Sequence, residues 1–568
     1  MRTEFSNSTR CQNIKTLKTE PLDVLVIGGG IVGAGLIRDL ALNGDIKAGL
    51  IEQGDFACGT SGASSQLIHG GFRYIAKRDI ALVKQSRKER ETLTHIAPNL
   101  VKPIPLAILR YKGDPYPLAG IRLAAQYYNH LSKSDASEKA KLHIDTDKIQ
   151  SKVGPISTDG LKGCVVLWDS IVDDARLTLA TIKDAHLHGG VIANYVAFVE
   201  YVSIPNPPET MYRVLAKDCI TDECFEICAR KIVSTTGPWT DMLWQKDPSY
   251  NGQLRLEKKN AKGIHLILPR CTKVDPTDNY GIVALTQSEK QQNAKQRAIF
   301  ILPGDDNTSI VGTTETTPEG DPKDVRPSAD EVSYLLAEAK RLFPGMSLDQ
   351  NSIIGTYAGI RPLIANNQTK LIGDSKNFVS REHLITESPS GILYVYGGKL
   401  TTHRLIAEET VDYIADFLSV PRQCKTARCP LPSANSDVIV PDEPKQADDG
   451  RIQSVEIDRE RLIQRYGYIG YLSIQELVNR DASLADRMTD DHPFLKAEIL
   501  YAFTGEMAIT LDDVLWRRTR IGWTQGQGLD IAEQIVNFLS KNNNWSETRK
   551  LEEIERYKRH IEWLNQHL

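Results

Sequence analysis

The stretch SSQLIHGGFRY, Ser64 to Tyr74, places two serines, a histidine, a glycine pair, an arginine and a tyrosine in succession. Hydroxyls, an imidazole and a guanidinium set among glycines can hold a polar or anionic ligand against closely approaching backbone. Upstream, DVLVIGGGIVGAGLIRDLALNGDIKAGLIEQ reads as an apolar strand, a glycine turn, a helix and a second strand closing on an acid. Gly28, Gly30 and Gly33 form G-x-G-x-x-G. The first allows the tight turn, the second lets backbone approach a pyrophosphate, and the third lets helix pack on strand. Glu52 comes next, where a carboxylate accepts hydrogen bonds from a ribose hydroxyl, so the unit is expected to bind an adenine dinucleotide. A glycine-rich turn in an unrelated α/β fold leaves Glu52 unexplained.

The choice between NAD and FAD turns on the chain beyond that acid. A second crossover helix suits a nicotinamide enzyme; here a long polar loop, GDFACGTSGASSQLIHGGFRY, suits a larger cofactor half, with Thr60 to Gly71 lining pyrophosphate and ring. His69 and Arg73 are then expected near the reacting ring. Downstream, IVSTTGPWTD is a strand ending in a glycine and proline turn, and LYVYGGKLTTHR a strand, a glycine pair and a helix start. Lys399 there can offset negative charge on a reduced flavin, with Thr401 and Thr402 beginning the helix.

The chain around these residues has 568 residues, 41% hydrophobic and 25% charged, which describes a globular protein of two or three folding units. A net charge of −4 provides no global basic field for nucleic acid. Nine scattered cysteines fit a reducing compartment. Cys219, Cys224 and Cys228 lie in VLAKDCITDECFEICARKIV, whose alternation reads as a β-hairpin rather than a zinc site, and no metal is expected. The first twenty residues lack the apolar region of a secretory signal and are expected to be an N-terminal extension. No run of about eighteen apolar residues appears. His186 and His188 are expected at the surface, and EEIERYKRH on a solvated helix face.

The ordered blocks GDFACGTSGASSQLIHGGFRY, VDDARLT, STTGPW, KGIHLILPR, VGTTETTPEGDP, YAGIRPLI, GGKLTTHR and AEILYAFTGEMAITLDDVLWRRTR closely resemble the FAD-dependent glycerol-3-phosphate dehydrogenases of the aerobic, respiratory type, from about residue 22 to beyond 520. The resemblance implies an FAD site built from Gly28, Gly30, Gly33, Glu52, Thr60, Ser61, Ser64, Ser65, Leu67, His69, Gly70, Gly71, Val196, Thr236, Gly237, Trp239, Arg361, Gly398, Lys399, Leu400, Thr401 and Thr402. It implies a substrate pocket of Arg73, Tyr74, His265, Arg361, Arg381 and Lys399, which is chemically sensible because guanidinium forks bind phosphate oxygens bidentately. The expected reaction is hydride transfer from C2 of sn-glycerol 3-phosphate, giving dihydroxyacetone phosphate. His265 is the first candidate for the base and His69 the second, while Arg361 suits binding and charge stabilisation. Val32, Gln66, Glu315 and His403 depart from the residues common at these positions of the family. Other readings are an oxidase passing electrons to oxygen, a related flavin oxidase of an amino acid or another polyol phosphate, and a flavoprotein scaffold without chemistry.

The implied architecture is α/β. A doubly wound FAD-binding domain of the glutathione-reductase/amino-acid-oxidase type occupies 20–425, its segments 20–75, 160–255 and 355–425 interleaved with segments 76–159 and 256–354 of an antiparallel-sheet substrate domain. QRAIFILPGDDNTSIVGTTE fits two strands of that sheet. After the linker CPLPSANSDVIVPDEPKQADDG, residues 430–568 show helical spacing. The resemblance further implies a homodimer attached peripherally to the inner face of the cytoplasmic membrane, with a quinone as acceptor. YPLAGIRLAAQYYNHLSK, 116–133, suits either an interfacial anchor or a core helix. No D-x-[DN]-x-[DN]-G calcium loop appears, which favours the bacterial type of the family.

Overall fold

The computed structural model describes residues 4–76, 78–131, 140–205, 210–252, 260–273, 279–287, 296–304, 307–364, 383–432, 458–490, 492–543 and 545–568. Arg381 and most of the proline-rich linker lie outside them. Strand Leu22–Ile27, helix Ile31–Asn43 and strand Ala48–Ile51 form the expected βαβ unit, the two strands pairing in parallel from Val24 with Ala48 to Ile27 with Ile51. Continuous Val, Leu and Ile runs, buried on both faces, suit a parallel sheet covered by helices. The order is His383–Glu387, Leu393–Gly397, Cys224–Ser234, Leu22–Ile27, Ala48–Ile51, Val191–Ala193. Tyr212–Asp218 pairs with Cys224–Ser234 as the expected hairpin.

The second sheet runs Gly355–Arg361, Ala261–Pro269, Thr308–Gly312, Ala298–Pro303, Gly281–Leu285, Val101–Tyr111, Leu161–Val172, Leu67–Ile68. A parallel pair joins Gly281–Leu285 to Val101–Tyr111 within this otherwise antiparallel order. Ala298–Pro303 and Thr308–Gly312 pair around the predicted turn. Alternating Ile264, Leu266 and Leu268 pack with Ile299, Ile301 and Val311 under helix Ala329–Leu342. Strands Leu67–Ile68, Leu161–Val172 and Gly355–Arg361 belong to this sheet although they fall in segments expected for the dinucleotide half. Pairing of Leu67 with Ile171 and Ile68 with Ser170 carries the serine loop from one sheet to the other.

The C-terminal region is helical, with two departures from the periodic reading. Helix Arg459–Arg480 is broken at Gly467, whose φ is +71°. The helical spacing over AEILYAFTGEMAITLDDVLWRRTR resolves into helix Lys496–Thr504 and a π-turn, Asp513–Arg518, because Gly505 ends the first part and Met507 takes φ +51°. Buried ion pairs dock this domain on the dinucleotide half: Arg176 with Glu506, and Arg517 and Arg518 with Asp55.

The N-terminal segment is no loose extension. Helix Asn7–Thr19 buries Arg10, Asn13, Ile14 and Leu17, and the Arg10 guanidinium meets Asp218 at 2.5 Å. His186 is likewise buried, its Nε2 3.1 Å from the Glu4 carbonyl oxygen, contrary to the surface expectation. Both differences have one origin: residues 4–19 cover a surface that the local pattern around His186 cannot reveal.

Candidate active site

A cavity of about 2340 Å³ lies where the two sheets meet. Pockets for small ligands are typically about 300–1,000 Å³, so this one has room for a dinucleotide and a substrate together. At its dinucleotide end a Cβ on Gly33 would stand 1.9 Å from the Gly28 carbonyl oxygen, and one on Gly28, at φ +112°, 2.8 Å from that of Thr235. Only glycines permit that strand, turn and helix to approach this closely. The helix after the turn has no acidic residue in its first turn, leaving its positive end for phosphate. Ser61 Oγ accepts from the Ile31 N–H at 2.9 Å. Glu52 accepts from the Gly29 and Gly54 N–H groups at 2.7 and 2.9 Å; burial raises its pKa, and these donors oppose the rise only in part. The constellation fits the adenosine and pyrophosphate half of FAD.

Most of the expected residues line the cavity: Gly28, Gly30, Glu52, Thr60, Ser61, Ser64, Ser65, Leu67, His69, Val196, Thr236, Gly237, Trp239, Arg361, Gly398, Lys399, Leu400 and Thr401, with Arg73 and Tyr74. Gly33, Gly70, Gly71, Thr402 and His265 stand behind the wall. A Cβ on Gly70 would lie 2.3 Å from the Tyr128 hydroxyl, so this glycine serves loop packing. Of the four departures, Val32 and Glu315 line the cavity, whereas Gln66 and His403 are buried behind it.

Cations also gather in the cavity wall. The Lys399 ammonium lies 4.1 Å from the Tyr74 ring centre and the Arg73 guanidinium 5.0 Å, joining two segments far apart in sequence. Arg361 donates to Thr313 Oγ1 at 2.8 Å and to the Thr314 carbonyl at 3.2 Å. A Cβ at Gly263 would fall 2.3 Å from the Arg361 guanidinium, so glycine on the neighbouring strand makes its berth. Arg297 lines the same region; no local signal in the sequence marks it, because it merely precedes a strand.

The two histidines differ. His265 is 3% exposed, its ring stacked on Tyr357 at 4.7 Å, and its Nε2 lies 2.9 Å from Ser65 Oγ, which does face the cavity. Burial and then Arg361 lower its pKa to about 3. His69 Nδ1 accepts from the Gly71 N–H at 3.1 Å. Burial, Lys399 and Arg73 lower its pKa to about 3. Both rings are neutral at pH 7, and with Nδ1 accepting, His69 carries its proton on Nε2.

Burial of uncharged imidazole has a consequence for stability. Burial also takes His403 to about 4, the Leu400 carbonyl at 2.7 Å partly opposing it. An unfolded imidazole titrates near 6.5. Below that pH the unfolded state binds more protons, so the contribution is full above 6.5 and is lost as pH falls. At pH 5 the loss is about 2 kcal/mol for each of His265 and His403. Denaturant unfolding at pH 7.5 and pH 5 checks it, and His403→Gln should remove its share of the decrease. An unaltered pH dependence in that variant would contradict the assignment.

A glycine turn of dinucleotide-binding type shares one cavity with Arg73, Arg361 and Lys399, an arrangement that suits a flavin-dependent oxidoreductase. A family model described as FAD dependent oxidoreductase matches residues 23–413, and one described as C-terminal domain of alpha-glycerophosphate oxidase matches 424–550. Glycerol-3-phosphate dehydrogenase of Synechocystis sp. is 30% identical, over 97% of this chain and 98% of its own length. Alpha-glycerophosphate oxidase of Streptococcus pneumoniae is 28% identical over 96% of each. The X-ray structure of the glycerol-3-phosphate dehydrogenase from Bacillus halodurans complexed with FAD matches with a TM-score of 0.76 at 25% identity, covering 98% of each chain. The chain belongs to the FAD-dependent oxidoreductases and, among them, to the glycerol-3-phosphate dehydrogenase family. Its cofactor is FAD.

Proposed function

We propose that the protein oxidises sn-glycerol 3-phosphate to dihydroxyacetone phosphate and passes the electrons to a quinone. The carrying observation is the group of cations Arg73, Arg361 and Lys399 in the wall of one cavity, Arg73 and Lys399 both set on the Tyr74 ring. Such a cluster matches a phosphomonoester, with the planar Arg361 fork suited to two of its oxygens. Bound FAD supplies a two-electron acceptor for the C2 hydrogen. The proton of the C2 hydroxyl passes through Ser65 Oγ to His265 Nε2, an acceptor that burial and Arg361 make a weaker base than the near-neutral histidine expected from sequence. His69, a donor through Nε2, stabilises negative charge developing on the C2 oxygen.

Quinone is favoured by an apolar arm of the cavity lined by Leu106, Ile108, Ile121, Ala124, Val283 and Phe300, which a small polar substrate does not need. Helix Leu118–His130 borders it and buries only Ala125 and Tyr128, with Leu123 66% and Tyr127 42% exposed. That disposition supports an interfacial anchor over a core helix, while attachment to the inner face of the cytoplasmic membrane rests on the family resemblance. Among the described residues no helix is long and apolar enough to cross a membrane. A homodimer rests on the family resemblance and is checked by light scattering. The second reading, an oxidase, is favoured by the Streptococcus pneumoniae relative and by the description of the C-terminal model.

Anaerobic addition of sn-glycerol 3-phosphate should bleach the flavin absorbance rapidly, and flavin that stays oxidised removes the substrate assignment. In air the reduced enzyme should transfer electrons to a soluble quinone analogue faster than it forms peroxide. Stoichiometric peroxide at undiminished turnover favours the oxidase.

A further inference from the structure

Two arms run from the C-terminal turn Arg520–Trp523 to the serine pair of the cavity wall. The first is polar. Arg520 donates at 2.7 Å to Asp174 Oδ1, and the other oxygen of that fully buried carboxylate accepts from the Ser64 N–H at 2.9 Å and its hydroxyl at 2.6 Å. Ser64 Oγ in turn accepts from the Gln66 N–H at 3.0 Å, closing the turn around Ser65. The second arm is aromatic. The Arg520 guanidinium lies 4.1 Å from the Trp523 ring centre, Trp523 packs on Tyr357 at 4.6 Å, and Tyr357 stacks on His265. The arms meet, since the Tyr357 hydroxyl donates to the Ser64 carbonyl at 3.0 Å and Ser65 Oγ contacts His265.

Arg520 also carries a backbone signature. It is a non-glycine residue at φ +60°, ψ 22°, a conformation that costs energy and is held only where the surroundings impose it. Its guanidinium also meets Asp173 at 2.7 Å, so two adjacent carboxylates share one cation. A buried carboxylate that must stay charged while it accepts from Ser64 requires such a cation, because burial raises the Asp174 pKa and Arg520 opposes the rise.

We propose that Arg520 is a positioning residue for Ser64 and Ser65 and, through Tyr357, for His265, so that the helical C-terminal domain completes the active site. This rests on reading the cavity as the FAD and substrate site. The consequence is that turnover depends on docking of a domain that contributes no residue to the proposed chemistry.

The test uses the full-length holoenzyme with Arg520→Ala, Arg520→Lys and Trp523→Phe, and Arg461→Ala as control. Arg461 pairs with Glu498 at 2.9 and 2.6 Å inside the helical domain, away from the serine pair. Arg520→Ala should alter the visible spectrum and midpoint potential of bound FAD and slow flavin reduction per bound flavin by about tenfold to a hundredfold, with kcat falling and KM little changed. Arg520→Lys should recover part of the rate, because an ammonium still neutralises Asp174. Arg461→Ala should lower the thermal midpoint and leave spectrum, potential and rate per flavin alone. The proposal is overturned if Arg520→Ala merely loses stability while those three readouts stay at wild-type values. Should Arg520→Ala fail to fold, Arg520→Lys and Trp523→Phe decide by the same measurements, wild-type values in both being the overturning result. If sn-glycerol 3-phosphate does not reduce the wild-type flavin, the functional reading fails while spectrum and potential still judge the positioning role.

Discussion

Arg361→Ala is expected to lower kcat/KM for sn-glycerol 3-phosphate by about a hundredfold to a thousandfold while FAD stays bound, the loss typical of removing one charged partner from a desolvated pair. The guanidinium is held from behind by Thr313 and Thr314, and burial lowers its pKa from the ordinary value without discharging it. It is therefore an oriented cation at the cavity wall, placed to meet the proposed phosphate. Arg361→Lys should recover only a fraction, because an ammonium cannot reproduce the fork. Steady-state kinetics with a flavin content assay separates the effects: a raised KM at constant kcat indicates binding shared by ground and transition states, and a lowered kcat indicates stabilisation of the developing charge. Unchanged kinetics would remove Arg361 from the phosphate pocket.

The dinucleotide half was legible because its determinants are local. Gly28, Gly30, Gly33 and Glu52 lie in one βαβ unit, where spacing alone states which atoms must approach. The hairpin of Tyr212–Asp218 with Cys224–Ser234 was legible for the same reason, as alternation of two has one structural solution. Arg73 and Lys399 were legible as groups near the reacting ring from the glycine-rich segments that hold them, whereas Arg361 came from the family resemblance, since an arginine in a strand carries no local sign of its target.

The features that stayed hidden depend on contacts between distant segments. His186 reads as exposed in DAHLHGG, yet residues 4–19 cover it. Asp174 sits within VDDARLT, but its hold on Ser64 and its pairing with Arg520 join positions 110 and 346 residues away. The apolar period over KAEILYAFTGEMAITLDDVLWRRTR shows helical spacing but cannot register the turn at Gly505–Met507, which aims Arg517 and Arg518 at Asp55. Periodicity reports which face is apolar; buried charges answer to partners that periodicity does not contain.

Asp55 bears the second large expectation. The residue is 1% exposed, and its carboxylate accepts from Arg517 Nε at 2.6 Å, from Arg518 at 2.6 and 2.9 Å, and from Asn194 at 3.2 Å. Burial alone would raise its pKa; Arg518 and Arg517 outweigh burial and hold it below the usual carboxylate range. Asp55→Ala leaves Arg518 buried without its paired carboxylate and Arg517 with Asp512 and Asp513 alone, at a cost of about 3–5 kcal/mol. The damage should appear in two places, because Asp55 lies between Glu52 and the cavity-lining Ala57, Cys58 and Gly59. Urea unfolding should show the lower stability, and limited proteolysis should cut the helical domain free sooner than in the wild type. FAD should dissociate more readily, and excess FAD should restore part of the stability by mass action. Stability within about 1 kcal/mol of wild type would show that Asp55 does not govern docking, since ordinary surface substitutions stay within that range. Loss of docking with a normal FAD affinity would instead separate the helical domain from the cofactor loop, and would require Arg520, not Asp55, to carry the coupling between them.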